Sequence, residues 1–153
     1  MNYFRLSKYN PIYRVNGIYQ KQEWTSYSDI GKIYDNHKFL ESEYLSIEQQ
    51  YIDTIIEIAV THNIDKLTIN HIENYDTKWN NKKLLSLFDT TCFIRDCLRD
   101  LCWGQLVSDG FIWEVGYDYY MHLGCNSTFD TVESIAKKHN LFVESWETIQ
   151  QTR

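Results

Sequence analysis

The chain has 153 residues, 43% hydrophobic and 24% charged content, and a formal net charge of −6 from 15 Lys and Arg against 21 Asp and Glu. One proline and six glycines exclude a collagenous or linker-rich chain, and the length predicts a single globular domain over residues 1–153 that holds its core without disulfide or metal. A chain of this charge repels phosphate backbones unless it carries a local basic patch, so no direct contact with nucleic acid is expected.

Residues 2–7 alternate polar and apolar side chains and predict a first strand. Residues 8–28 contain the turn signals Asn10-Pro11 and Asn16-Gly17 and read as a loop or irregular hairpin pinned by Tyr9, Tyr13, Tyr19, Trp24 and Tyr27. Ser28-Asp29 is placed to cap a short helical turn through Ile33. The clearest helix runs from Ser46 to about His62. Ser46 and Gln49 have capping-box spacing, Ile47, Tyr51, Ile55, Ile58 and Ala59 form its buried stripe, and Asn63 is its stop. Gln50, Asp53, Glu57 and Thr61 are expected on its wet face. Leu67, Ile69 and Ile72 predict a strand, residues 73–81 a polar loop around Trp79, and Lys82–Phe88 a short helix. A second clear helix, capped by Asp89 or Thr90, places Phe93, Ile94, Cys97, Leu98 and Leu101 on one face and Arg95, Asp96, Arg99 and Asp100 on the other, with Gly104 as its terminator. The period then switches to two, predicting strands at 105–108, 111–117 and 119–124, with Asp109-Gly110 as a hairpin turn and Gly116 and Asp118 in the next. A helix from about Phe129 to His139, capped by Ser127 or Thr128, and a closing strand over 141–146 complete the chain. Strands joined by tight turns are antiparallel, so the expected class is α+β: a mainly antiparallel sheet with about three helices packed on it.

The chain has no 18-residue apolar run, so no transmembrane helix or membrane partner is expected. Met1–Asn10 lacks the continuous apolar segment of a secretory signal, and a cytoplasmic location is expected. Cys92, Cys97, Cys102 and Cys125 fit reduced, structural thiols. The first three are spaced by five, which on a helix turns neighbours about 140° apart, whereas zinc sites use spacings of two to four. No metal or cofactor is therefore expected.

The sequence contains no P-loop, GxGxxG, HExxH or GxSxG motif. Of the five histidines, His62 and His139 fall at helix ends, where an imidazolium suits the dipole. Asp118, Tyr120 and His122 would share one strand face, with Glu114 across the turn. A carboxylate, a phenol and an imidazole are acid–base groups, and they define the alternative reading of a small hydrolase or nuclease. Trp113, Tyr117 and Tyr119 are assigned to the packing of the sheet. The acidic stretch between Lys38 and Lys66 carries Glu41, Glu43, Glu48, Asp53, Glu57 and Asp65 with no Lys or Arg. Asp53 and Glu57, four apart on a helix, would repel by about 0.2–0.5 kcal/mol. That face, together with Tyr13, Tyr19, Trp24, Asp118 and Tyr120, is the candidate docking surface for a basic protein, because aromatic anchors and complementary charge favour such encounters.

Two segments resemble a known group. Tyr9-Asn10-Pro11, Asn16-Gly17, Tyr19 and Glu23-Trp24-Thr25-Ser26 through Ser28-Asp29-Ile30-Gly31 form one; Gly116-Tyr117-Asp118-Tyr119-Tyr120-Met121 forms the other. Together they resemble small bacterial immunity proteins of polymorphic-toxin and contact-dependent growth inhibition systems. The resemblance covers about 30 residues and implies a non-enzymatic cytoplasmic protein that binds and blocks a cognate toxin domain, often a nuclease. Nuclease domains tend to be basic because they bind phosphates, and an acidic immunity protein would suit them. No catalytic residue is implied.

Overall fold

In the computed structural model, which describes residues 1–74 and 78–149, the chain begins with β1 (Asn2–Ser7), an interior strand next to one edge of a sheet. Two short hairpins follow: β2 (Arg14–Val15) with β3 (Ile18–Tyr19), and β4 (Ile33–Tyr34) with β5 (His37–Lys38). A one-turn 3-10 helix at Tyr27–Asp29, capped by Ser26, stands where a helical turn capped by Ser28-Asp29 was expected.

The long helix α1 spans Glu41–Thr61, five residues earlier than its sequence-predicted start. Its N-cap is Leu40, with no side-chain cap; Glu41 and Glu43 occupy the first turn, where carboxylates suit the positive end of the helix dipole. Ser46 and Gln49 are consequently interior residues and form no capping box. The C-terminal reading holds: His62 is the C-cap and Asn63 adopts φ +57°.

Chain reversal leads into β6 (Lys66–Asn74) and β7 (Leu84–Ser86). The helix expected over Lys82–Phe88 is therefore a strand. Leu85 is buried between exposed Leu84 and Ser86, and pairing to the rim of β6 outweighs weak helical propensity. Residues 75–77 of the expected polar loop lie outside the described residues. Ser86, not Asp89 or Thr90, caps α2 (Leu87–Leu98), its hydroxyl accepting from the Asp89 amide at 3.1 Å.

The turn after α2 uses Asp100 at φ +59°. Gly104 is not a helix stop but an interior residue of β8 (Cys102–Ser108). A Cβ there would meet Ile72 Cδ1 at 3.1 Å and Phe93 Cζ at 3.2 Å, so the glycine lets α2 and β6 close over the strand. β9 (Phe111–Val115), β10 (Met121–Cys125), α3 (Phe129–Lys138) and β11 (Phe142–Ser145) follow. Thr128 caps α3 through the Thr131 amide and His139 is its C-cap.

Seven strands form one antiparallel sheet in the order β11-β1-β10-β9-β8-β6-β7. The class is α+β, as the alternation of patterns predicts. Phe4, Leu6, Leu106, Trp113, Met121 and Leu123 point to the helices and merge with Tyr51, Ile55, Phe93, Ile94, Val132 and Ala136 in one core. The opposite side chains of the same strands, Arg5, His122, Glu114, Gln105 and Glu144, form a polar band. Among the described residues no helix is long and apolar enough to cross a membrane.

Candidate functional site

The last three residues of β8 pair with the start of β9 through Leu106↔Trp113, Val107↔Ile112 and Ser108↔Phe111. Beyond Leu106 the two strands part. On its other side β8 follows β6, where a register shift between Asn70 and Glu73 contains His71 at φ +51°. Such a bulge bends and twists the strand. Side chains span the opening between β8 and β9. Gln105 Nε2 donates to Glu114 Oε2 and Trp103 Nε1 donates to the Val115 carbonyl, both at 2.8 Å, replacing ladder bonds that the divergence removes.

A cleft of about 560 Å³ occupies this opening. Glu73, Asp100, Trp103, Glu114, Tyr117 and His122 wall it, and Cys97 and Cys102 also line it. A second cleft of about 220 Å³ adjoins it, lined by Thr25, Ser26, Asp118 and Tyr119. Asp100, Val115, Gly116 and Tyr117 line both. Four carboxylates, from Glu73, Asp100, Glu114 and Asp118, thus surround one two-lobed depression. Among the described lining residues none is Lys or Arg.

The ridge between the lobes is the β9–β10 turn. The Tyr120 amide donates to the Tyr117 carbonyl at 3.1 Å, and Asp118 and Tyr119 have φ of +54° and +65°. A left-handed tyrosine costs about 1–2 kcal/mol. Burial offsets it: the Tyr119 ring packs on Trp24, Tyr44 and Tyr51, and its hydroxyl donates to Tyr44 at 3.0 Å. The Tyr9 hydroxyl donates to the Asp118 carbonyl at 2.7 Å. With the turn anchored on both sides, Tyr117 projects from it and is 92% exposed. This corrects its assignment to the sheet's packing; Trp113 and Tyr119 are packed there as expected. Gly116 keeps the larger lobe open to His122, since a Cβ would stand 2.7 Å from its Cε1.

The trio Asp118, Tyr120 and His122 does not assemble. Two consecutive left-handed residues break the strand alternation that would have aligned it. Asp118 sits on the turn, and the Tyr120 hydroxyl accepts from Arg14 Nη2 at 2.6 Å. His122 stacks on Trp146 with centroids 4.9 Å apart, and its Nδ1 is 3.8 Å from Glu114 Oε1, too far for a hydrogen bond. Glu114 does neighbour His122 across the turn, in register. Among the described residues no group of three or more His, Cys, Asp and Glu side chains is placed to hold a metal.

The acidic stretch is dispersed by partners from other elements. Glu48 is 3% exposed and bonded to Arg95 and Arg99, so it is a core ion pair and not a docking group. Glu57 is half-buried and held by Lys138 and His139, whose hydrogen bonds pull its carboxyl below the ordinary range. Glu43 meets His37 at 2.6 Å. Glu41 and Asp53 remain exposed, Asp53 accepting from Gln49. The expected Asp53–Glu57 repulsion is thereby answered on both sides. In the N-terminal loop Trp24 is buried, stacked on Phe39 at 4.6 Å. Tyr19 is half-buried against Tyr9 and donates to Glu23; burial and that carboxylate push its hydroxyl up to about 12. Tyr13 alone of these three is exposed, under Lys21.

Three arginines show how this chain holds a guanidinium. Arg5 lies 4.5 Å from the Tyr120 ring centre and 4.6 Å from that of Trp146, with Nη2 2.9 Å from Glu144. Arg14 shares Glu144 at 3.0 Å and lies near the rings of Tyr19 and Tyr120. Arg99 bonds Glu48 at 2.8 Å and lies over Tyr27 at 5.0 Å.

The cysteines also depart from their expected geometry. Cys97 and Cys102 have Sγ atoms 3.7 Å apart, because α2 ends between them and the chain reverses into β8. All four thiols are free, and burial pushes those of Cys97 and Cys125 up. Denatured protein is expected to titrate four thiols without reductant, whereas the native protein exposes only Cys92 to rapid modification. Two or fewer thiols after denaturation would contradict the reduced state.

Sequence reasoning singled out Asp118 and His122 but missed Tyr117, Glu73 and Asp100. The signal available for Tyr117 was its place at the head of a tight turn. Glu73 and Asp100 are brought in by a bulge and a helix end, which leave no periodic trace. No protein-family model, curated protein or solved structure gives a significant match to this chain.

Proposed function

We propose that this chain is a non-catalytic, cytoplasmic immunity-type protein that binds and neutralises a basic, nuclease-type toxin domain. The observation that carries the reading is the two-lobed cleft. An almost fully exposed tyrosine stands between carboxylates, with no Lys or Arg among the described residues of either wall. Tyrosine is a preferred interface anchor, and unneutralised carboxylates steer a basic partner. The resemblance to immunity proteins supports the same reading: its second segment, Gly116–Met121, is the turn that presents Tyr117. Exposed Glu41 and Asp53 add to the negative field on α1, and Tyr13 is a further aromatic contact in this proposal. A hydrolase would instead need an acid–base pair at bonding distance, and Asp118, Tyr120 and His122 lie apart.

The test is co-expression with basic, nuclease-type toxin domains, beginning with any encoded beside this gene. Growth protection and a one-to-one complex on co-purification are expected, with an association rate that falls roughly tenfold from low to high salt. Protection by far less than one equivalent would favour the enzyme alternative. Absence of both complex and protection would overturn the proposal.

A further inference from the structure

We infer that the larger lobe beside Tyr117 receives the guanidinium of one arginine side chain presented by a basic protein. This rests on the reading of the cleft as a docking site. Its warrant is internal. Arg5, Arg14 and Arg99 are each held by at least one tyrosine ring and a carboxylate. The larger lobe offers the same ingredients, the Tyr117 ring with the carboxylates of Glu73, Asp100 and Glu114. Among the described lining residues no arginine fills it. The carboxylate of Glu144 already serves two arginines and that of Glu48 is closed in by Arg95 and Arg99. Those of Glu73 and Asp100 have no Lys or Arg among the described residues within ion-pair distance.

Arginine fits better than lysine for a geometric reason. A guanidinium is planar, so one face lies on an aromatic ring while its edge donates to carboxylate oxygens. An ammonium is a strongly hydrated point charge and gives up the planar stack. The lobe's 560 Å³ falls in the range of clefts that take a small-molecule-sized group, which is ample for one guanidinium and its stem. Its mouth is set by the Gly116–Tyr117 turn, which is tied down by Tyr9 and Tyr119, so little ordering opposes entry. A divalent cation is a poorer occupant, because no metal-competent cluster forms among the described residues.

The experiment titrates the chain alone with N-acetyl-arginine amide, its lysine counterpart, and the uncharged isostere N-acetyl-citrulline amide. Binding is followed by backbone and indole amide NMR shifts at about pH 8, where an ordinary histidine is neutral. Saturable millimolar binding of the arginine probe is expected, weaker for lysine and absent for citrulline. Shifts should be confined to Gly116, Tyr117, Asp100 and the Trp103 indole. Tyr117→Ala should weaken the arginine probe by about threefold to tenfold. Its side chain is exposed, so the fold should survive. Asp100→Asn should weaken it comparably; asparagine tolerates the left-handed backbone there, so that variant too should fold. Equal binding of citrulline, shifts elsewhere, or no saturable shift up to about 50 mM, well past the millimolar range where single contacts register, would overturn the inference. Because the titration needs no toxin, its failure is separable from that of the immunity reading. A chain that protects cells but ignores arginine loses only this assignment, whereas one that binds arginine without protecting loses the immunity role.

Discussion

Glu48→Ala is expected to lower the melting temperature by roughly 6–12 °C, corresponding to about 3 kcal/mol in a chain of this size. Glu48 lies on the buried face of α1 and is 3% exposed. Its carboxylate receives Arg99 through Nε and Nη2, both at 2.8 Å, and Arg95 Nε at 3.3 Å. The fork ties α1 to α2 beside the apolar core that both helices share. Truncation leaves two guanidinium groups beside a hole. Removing one member of a buried pair costs about 3–5 kcal/mol. The lower end applies here because the arginine side chains are 34% and 25% exposed and regain water. Arg99 also keeps its contact with the Tyr27 ring. Glu48→Gln retains part of the hydrogen bonding and should lose less, and Asp53→Lys, on the exposed face of the same helix, should change stability by under about 0.5 kcal/mol. Urea unfolding of the three variants decides it. An effect of Glu48→Ala no larger than that of Asp53→Lys would show that the ion pair adds nothing to the α1–α2 contact.

The contrast between these carboxylates shows where sequence reading stopped. The stripe of α1 was legible because Tyr51, Ile55, Ile58 and Ala59 repeat at helical spacing. Glu48 falls on the same stripe, three residues before Tyr51, but its charge suggests water. Only the arrival of Arg95 and Arg99 from α2, which are 47 and 51 residues away, makes its burial tolerable. Glu57 was likewise read as wet until α3 brought Lys138 and His139 beside it. Long-range charge pairing leaves no local signature, whereas caps and turns do. Asn63, Asp109-Gly110 and Thr128 were readable because their chemistry acts within three or four residues. The β9–β10 connection was readable as a turn but not in its detail. Gly116 and Asp118 marked it, yet the second left-handed residue is Tyr119, a type that turn chemistry would not select. Burial among Trp24, Tyr44 and Tyr51 overrides that preference, and the same override throws Tyr117 outward to make the ridge of the cleft. The proposed site thus exists because a core tyrosine accepts a strained backbone.

Raising the pH above 10 is expected to unfold the chain cooperatively, with buried tyrosines ionising in the same transition. Tyr9, Tyr44, Tyr51 and Tyr119 are each at most 4% exposed, and burial first, then neighbouring acidic groups, pushes all four hydroxyls well above their ordinary value. In the unfolded chain a tyrosine releases its proton near pH 10. Above that pH the unfolded state binds fewer protons than the folded state, so stability falls as pH rises. Each linked proton removes about 1.4 kcal/mol per pH unit, and four remove about 5.5. A stability of about 5–15 kcal/mol is then exhausted within roughly one to three units. Lys8 acts in the opposite sense at lower pH. Burial among Tyr9 and Trp24 brings its ammonium down to about 8 despite the Glu23 partner. An unfolded lysine titrates near 10.4, so between about 8 and 10 the unfolded chain holds the extra proton and stability rises with pH. Cys97 and Cys125 oppose Lys8 in that window, because burial pushes their thiols up while an unfolded thiol releases its proton from about pH 8.5. The expected profile therefore shows no net climb before it drops steeply beyond about pH 10. Urea midpoints at about pH 8, 9.5 and 11, with tyrosinate absorbance and far-ultraviolet circular dichroism recorded together, measure it. The buried four should ionise together with the loss of dichroism. Tyr119→Phe removes one linked proton and should lessen the alkaline slope by about 1.4 kcal/mol per pH unit. If all 12 tyrosines ionised smoothly around pH 10 in a chain that kept its dichroism, the aromatic layer joining β1, α1 and the Tyr117 turn would not be sealed from water, and the anchoring of that turn would need another cause.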